Sequence, residues 1–111
     1  ERKILSIMKS YYTGLSSFEE KQVARLMVNE SMKYGFDPLL ILAIIRVESS
    51  FYNKAVSYKN ARGLMQIMPN VGEALADELH IPWMDDSTLF NQLTNIRIGT
   101  YFLYKLTKQF N

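Results

Sequence analysis

Glu48 is the carboxylate whose neighbours in the sequence point to chemistry. It closes the run Leu39-Leu40-Ile41-Leu42-Ala43-Ile44-Ile45-Arg46-Val47-Glu48, in which Arg46 is the only other charge. A carboxylate on a segment buried on most sides is costly, because it gives up its hydration without a partner. If the run is helical, Arg46 and Glu48 project about 200° apart and do not pair along it. Arg46 can turn its long stem outward, while Glu48 shares a face with Ile41, Ile44 and Ile45. Provided that face is enclosed, three influences raise the pKa of Glu48. Apolar neighbours desolvate it, the negative end of the helix dipole lies close by, and no cation stands one turn away, where Ala43, Ile44, Phe51 and Tyr52 occur. A carboxyl group held protonated near neutral pH is a general acid, suited for instance to a glycosidic oxygen. The plainer reading stays open on these facts: last turns are commonly solvated, and Glu48 is then an ordinary surface residue.

Other reactive residue types are scarce. The absence of cysteine removes thiol nucleophiles, disulfides and zinc-thiolate sites together. The single histidine, His80, cannot build a metal cluster, and it sits before Ile81-Pro82 at an expected helix end, where a cation is welcome. Asp85 and Asp86 read as solvated loop acids. The net charge is +2 and no run of five basic residues occurs, so nothing resembles a nucleic-acid stripe. Aromatic residues make up 13% of the chain; each is first a core residue, although such rings also suit sugar faces. A hydrophobic content of 48% over 111 residues fits one folded domain spanning 1–111 with a single core. No stretch approaches the ~20 apolar residues of a membrane helix, and no signal peptide is visible. The chain begins at Glu1 rather than Met, as expected of a processed or excised piece.

The elements that must position Glu48 are helical nearly throughout, which predicts an all-α class. Arg2 to Tyr12 carries Ile4, Leu5, Ile7, Met8 and Tyr11 at helical spacing. Ser17-Phe18-Glu19-Glu20 reads as a capping box, with Ser17 as N-cap and Glu20 three residues on, opening a helix that stops near Tyr34-Gly35. Asp37-Pro38 opens the third helix, with Asp as N-cap and Pro at the first position. Being apolar on almost every side, this helix should be surrounded by others. Ser49 to Arg62 is polar and irregular. Gly63 to Pro69 reads as a turn with a short extended or helical piece. Asn70 with Glu73 predicts the cap of a helix to about Leu79, a loop follows from His80 to Phe90, and a last helix spans about Gln92 to Gln109.

From Ile41 to Leu103 the chain resembles the catalytic domain of the soluble lytic transglycosylases, a goose-type lysozyme-like family. The resemblance rests on Glu48-Ser49-Ser50-Phe51, on Ala55-Val56-Ser57 and on Ala61-Arg62-Gly63-Leu64-Met65-Gln66-Ile67-Met68-Pro69. Asn95-Ile96, Gly99 and Tyr101-Phe102-Leu103 add to it. The first motif alone is weak; the three at these spacings are a strong combination. The resemblance implies a compact lysozyme-like domain of about five helices around a buried central helix. It implies Glu48 as sole catalytic carboxylate, protonating the bond between N-acetylmuramic acid and N-acetylglucosamine. Glu48 then acts as base on the muramyl 6-hydroxyl to leave a 1,6-anhydro end. Ser57 and Gln66 match substrate-binding positions, and Met65 and Met68 would line the groove. Without the family, Ser57 capping its loop and Gln66 stabilising its turn are equally good readings. No cofactor or metal is implied. The implied partner is peptidoglycan, and the implied setting is the bacterial cell envelope, with the domain acting as a monomer. The family continues past the last helix with an Ala-Tyr-Asn-Ala-Gly-like segment that this sequence lacks. The C-terminal part of the family domain is therefore expected to be missing, and the fragment to be weak or inactive alone. A non-catalytic glycan-binding module, a hydrolytic lysozyme-like enzyme using a second acid, and a helical protein-interaction domain are the competing readings.

Overall fold

The computed structural model describes residues 1–110. Among these residues five α-helices form: α1 (Arg2–Met8), α2 (Ser17–Lys33), α3 (Pro38–Ser49), α4 (Pro69–Glu78) and α5 (Gln92–Gln109), with a short 3-10 turn at Asp86–Phe90. Among the described residues the extended structure consists of two isolated antiparallel bridges, Val56 with Arg62 and Arg62 with Ile67. The all-α expectation therefore holds, and the last helix has the bounds read from the sequence.

Helix α2 is the element on which the others assemble. Its buried face carries Val23, Ala24 and Met27, and it packs on α1, α3 and α5. Gln92 at the start of α5 donates to Glu19 at the start of α2 (3.5 Å). Tyr34, just past the end of α2, packs its ring on Tyr104 (4.9 Å) and Tyr101 (6.0 Å). The two longest helices thus lie side by side, and α4 packs on the second.

Two caps differ from expectation. The box at the start of α2 uses Ser16 and Glu19, one residue earlier than Ser17 and Glu20: Ser16 Oγ accepts from the Glu19 amide (3.1 Å) and the Ser16 amide donates to Glu19 Oε1 (2.9 Å). The shift has a tertiary cause. Glu20 is buried, and its carboxylate is claimed by Thr13 Oγ1 (2.7 Å) and Lys9 Nζ (3.1 Å). A buried acid needs such partners, so Glu20 cannot also reach back to a cap. At α4, Met68 rather than Asn70 holds the N-cap position, with no side-chain bond; Pro69 is already helical and starts the helix itself. Asp37 caps α3 as expected, accepting from the Leu39 amide (2.9 Å).

Helix α3 is not enclosed all round. Ile41, Leu42 and Ile45 enter the core, whereas Leu39, Leu40, Ala43 and Val47 are exposed. It lies against α2, and its opposite side meets solvent. Beyond Ser49 the chain turns through two left-handed residues, Ser50 (φ 49°) and Phe51 (φ 62°). Each such residue costs on the order of 1–3 kcal/mol. Phe51 offsets this by complete burial against Tyr11, ring centroids 5.0 Å apart, a contribution of about 1.5–3 kcal/mol.

Glu78 and Lys105 tie α4 to α5. Lys105 Nζ donates to both Glu78 oxygens (2.9 Å each), and Tyr101 Oη donates to Oε1 (2.7 Å). The Lys105 hydrogen bond, then the Tyr101 one, hold the Glu78 carboxyl below the usual glutamate range against weak desolvation. A lowered folded-state pKa contributes stability that is present above the unfolded glutamate value and lost as pH falls through the lowered one. An NMR titration should therefore find the Glu78 midpoint below that of a free glutamate in the wild type and moved up in Lys105→Met. Coincident midpoints would show that the pair is not formed in solution. The Thr13 hydroxyl is the other tie open to test. Thr13→Val leaves a buried carboxylate oxygen without its donor, and should destabilise the domain by about 1.5–3 kcal/mol in urea unfolding.

Candidate active site

The site is a groove of about 310 Å³ between α3, α5 and the turn that joins the bridges. Helix α3 contributes Ile44 and Glu48, one turn apart. The turn contributes Met65, Gln66 and Ile67, and α5 contributes Gly99, Phe102, Leu103 and Leu106. Glu48 is the one titratable side chain in this lining. An open apolar trough of this size with few polar groups is the ordinary shape of a ligand site.

Three of the five residues singled out in the sequence, Glu48, Met65 and Gln66, meet here. Ser57 and Met68 do not line the groove. Ser57 is exposed and its Oγ accepts from the Ala61 amide (2.9 Å), so its present work is to hold the 57–61 turn. Met68 is exposed at the start of α4. Of the two readings left open for Glu48, an enclosed face and a solvated last turn, the second is the one found: its side chain is exposed. Helix α3 ends one residue later, and the strip beyond Ile45 opens onto the groove instead of meeting another helix. Asp85 lies outside the groove. It caps the 3-10 turn, accepting from the Ser87 amide (2.8 Å) and hydroxyl, and these bonds keep its carboxyl below the usual aspartate range.

Gln66 is held in a left-handed conformation (φ 54°). Its Nε2 donates to the carbonyls of Ala55 and Gly63, both at 3.0 Å. The amide protons are thereby occupied, which leaves Oε1 as the remaining polar atom of the side chain. The turn-stabilising reading of Gln66 is thus realised, and the same bonds fix it in the groove wall.

Asn95 is the residue on which this wall depends. It is fully buried at the first turn of α5. Its Oδ1 accepts from the Met65 amide (2.8 Å), and its Nδ2 donates to the carbonyls of Arg62 (3.0 Å) and Leu89 (2.9 Å). A Cβ on Gly63, itself at φ 80°, would lie 2.2 Å from Asn95 Nδ2 and 2.5 Å from the Leu89 carbonyl. Glycine is therefore required there. Gly99 plays a steric part on the other side: a Cβ would fall 2.4 Å from Met65 Sδ, so its absence lets Met65 lie against α5. Asn95 and Gly99 are legible in the sequence only as parts of a resemblance. On the groove side of α5, Phe102 and Leu103 are legible only through the same resemblance.

The family profile described as Transglycosylase SLT domain matches residues 25–111. The chain belongs to this family. It is 37% identical over 111 residues to membrane-bound lytic murein transglycosylase C of Actinobacillus pleuropneumoniae serotype 5b, a match covering 98% of this chain and 30% of that protein. Among solved structures it resembles an inactive glutamate-to-glutamine mutant of the lytic transglycosylase Slt of Pseudomonas aeruginosa (TM-score 0.72, 33% identity). It also resembles the 70 kDa soluble lytic transglycosylase of Escherichia coli (TM-score 0.71, 32% identity). Each of these two matches covers 78% of this chain and 14% of the other. The chain thus spans under a third of the length of these relatives.

Replacing Asn95 tests its part in the wall. Asn95→Leu strands one amide and two carbonyls in the core, at about 1–3 kcal/mol each. A loss of at least about 3 kcal/mol in denaturant unfolding is expected, with faster hydrogen exchange at the Met65 amide. A loss below about 1 kcal/mol would show that the turn is held by other means.

Proposed function

We propose that this domain is the glycan-cleaving part of a peptidoglycan lytic transglycosylase, with Glu48 acting first as acid and then as base. The observation that carries the proposal is the single carboxylate of the groove, which shares that groove with Gln66 in a chain of this family. Glycosidases that use two carboxyl groups hold them about 5–9.5 Å apart, and no second carboxylate lines this groove among the described residues. On this reading one group serves both steps. Glu48 donates its proton to the glycosidic oxygen as the bond to C1 of the muramyl sugar breaks. The 6-hydroxyl of the same sugar attacks C1 and passes its proton to the carboxylate, which closes the 1,6-anhydro ring and regenerates the acid without water.

The rest of the groove suits that task. Ile44, Phe102 and Leu103 offer apolar surface to sugar faces, while Gln66 Oε1 can accept from an N-acetyl amide or a ring hydroxyl. A glycan strand lying in the groove removes water from Glu48, which favours the neutral, proton-donating form. Ser57 and Met68 enter the proposal only as outer contacts, since neither borders the groove. No described helix is long and apolar enough to cross a membrane, and the proposed substrate puts the domain at the bacterial cell envelope.

Incubation with purified sacculi, followed by mass spectrometry of the released fragments, tests the assignment. Wild type should release 1,6-anhydro ends, and only slowly where residues 1–111 are assayed alone. Glu48→Gln should reduce release by about 10²–10⁴-fold, the range of general acid–base catalysis, with the fold intact by circular dichroism. Reducing ends in place of anhydro ends would identify hydrolysis. Binding without release, equal in wild type and Glu48→Gln, would identify a glycan-binding module.

A further inference from the structure

The peptide unit joining Leu64 to Met65 is gripped at both ends by side chains from different helices. Its N–H, on Met65, donates to Asn95 Oδ1 of α5 at 2.8 Å. Its C=O, on Leu64, accepts from Ser49 Oγ of α3 at 2.7 Å. Ser49 is the last residue of α3 and follows Glu48 directly. Its hydroxyl also lies 3.1 Å from the Ile45 carbonyl, the usual one-turn contact of a helical serine. A hydroxyl carries one proton, and the shorter contact is the one to Leu64.

We infer that Ser49 is a positioning residue: its hydroxyl is the strut that sets the width of the groove between Glu48 and the Met65–Gln66 wall. The inference rests on the catalytic reading of Glu48. Three features support it. Ser49 is half-buried and its bond to Leu64 spans fifteen residues of sequence, so it is not needed to form the helix that carries it. The far side of the same peptide is already fixed by Asn95, and therefore the Ser49 bond decides where α3 stands relative to that peptide. The groove residues on either side of it, Glu48 on one strand of the contact and Met65 on the other, are the immediate neighbours of the two bonded residues. An error of about 1 Å between reacting groups can cost as much as 10²-fold in rate, so a strut next to an acid has leverage that its own energy does not suggest.

The test compares Ser49→Thr with Ser49→Val, which share a shape and differ in the hydroxyl, alongside Ser49→Ala. With sacculi or soluble glycan strands as substrate, Ser49→Val and Ser49→Ala should lose about tenfold to a hundredfold in kcat with little change in KM. Ser49→Thr should stay within about threefold of wild type. Equal losses in the Thr and Val variants, or none in either Val or Ala, would overturn the inference. A second readout needs no turnover: carbon and nitrogen NMR shifts of the Glu48 carboxyl and the Gln66 side-chain amide. These should move in Ser49→Val and keep their wild-type values in Ser49→Thr. If wild type releases no anhydro ends, the catalytic reading fails while these shifts still decide the strut, and unmoved shifts in Ser49→Val would sink it.

Discussion

A peptide unit has two polar ends, and burial makes both of them demanding. In this domain the demand of one such unit, Leu64–Met65, is met by Ser49 from α3 and Asn95 from α5, and the site follows from that arrangement. The two helices share no long packed interface of their own; α2 lies against both. What joins them directly at the groove is a turn of main chain, and main chain in that position is tolerable only if its hydrogen bonds are supplied. Asn95 supplies three at once, to Met65, Arg62 and Leu89. It does so because an amide side chain offers an acceptor and donors in one plane.

Steric conditions follow from this polar one. For Asn95 to reach the Arg62 and Leu89 carbonyls, Gly63 must present no side chain, and for Met65 to fold down on α5, Gly99 must present none either. Two glycines and one asparagine, dispersed over the sequence, thus answer to a single geometric requirement. The strain at Gln66 belongs to the same set. Its left-handed backbone persists because Nε2 is bound to two carbonyls of the surrounding turn, which over-determines a conformation that costs on the order of 1–3 kcal/mol alone.

Much of the frame was readable from local signals. Asp37-Pro38 marks the start of α3, and the last helix is read from Gln92 to Gln109 as found, because helix start and stop signals are properties of short segments. The family resemblance grouped Glu48 with Ser57, Met65, Gln66 and Met68, and of these Glu48, Met65 and Gln66 line one groove. What was not readable depends on distant partners. Ser16 and Ser17 each have a glutamate three residues on, and only the claim of Thr13 and Lys9 on Glu20 selects between them. Asn70 looks like a cap until Pro69 is seen to be helical already. The openness of α3 was hidden because a run of apolar residues does not say which of its sides another helix will cover. Ser49 gives no local sign of its bond to Leu64. Ser57 and Met68 are close in sequence to the groove residues, but the 57–61 turn and the start of α4 carry them away from it.

The exposure of Glu48 changes the physical logic of the site. A carboxylate buried permanently among Ile41, Ile44 and Ile45 would cost several kcal/mol to keep charged, a large share of the 5–15 kcal/mol that holds a domain of this size together. Ending α3 at Ser49 avoids that cost, because the charge remains in water while its apolar neighbours line the groove beside it. On the proposed function, the low-dielectric surroundings that make a carboxyl group a useful acid are completed by the substrate, whose rings close the groove over Ile44, Phe102 and Leu103. Desolvation then occurs only in the complex and is opposed by the binding energy of a long ligand, not by the stability of the fold. That division requires the groove walls to be in place before the ligand arrives. It explains why the free chain devotes Asn95, Gly63, Gly99 and the Ser49 hydroxyl to the turn opposite Glu48, and none of them to Glu48 itself.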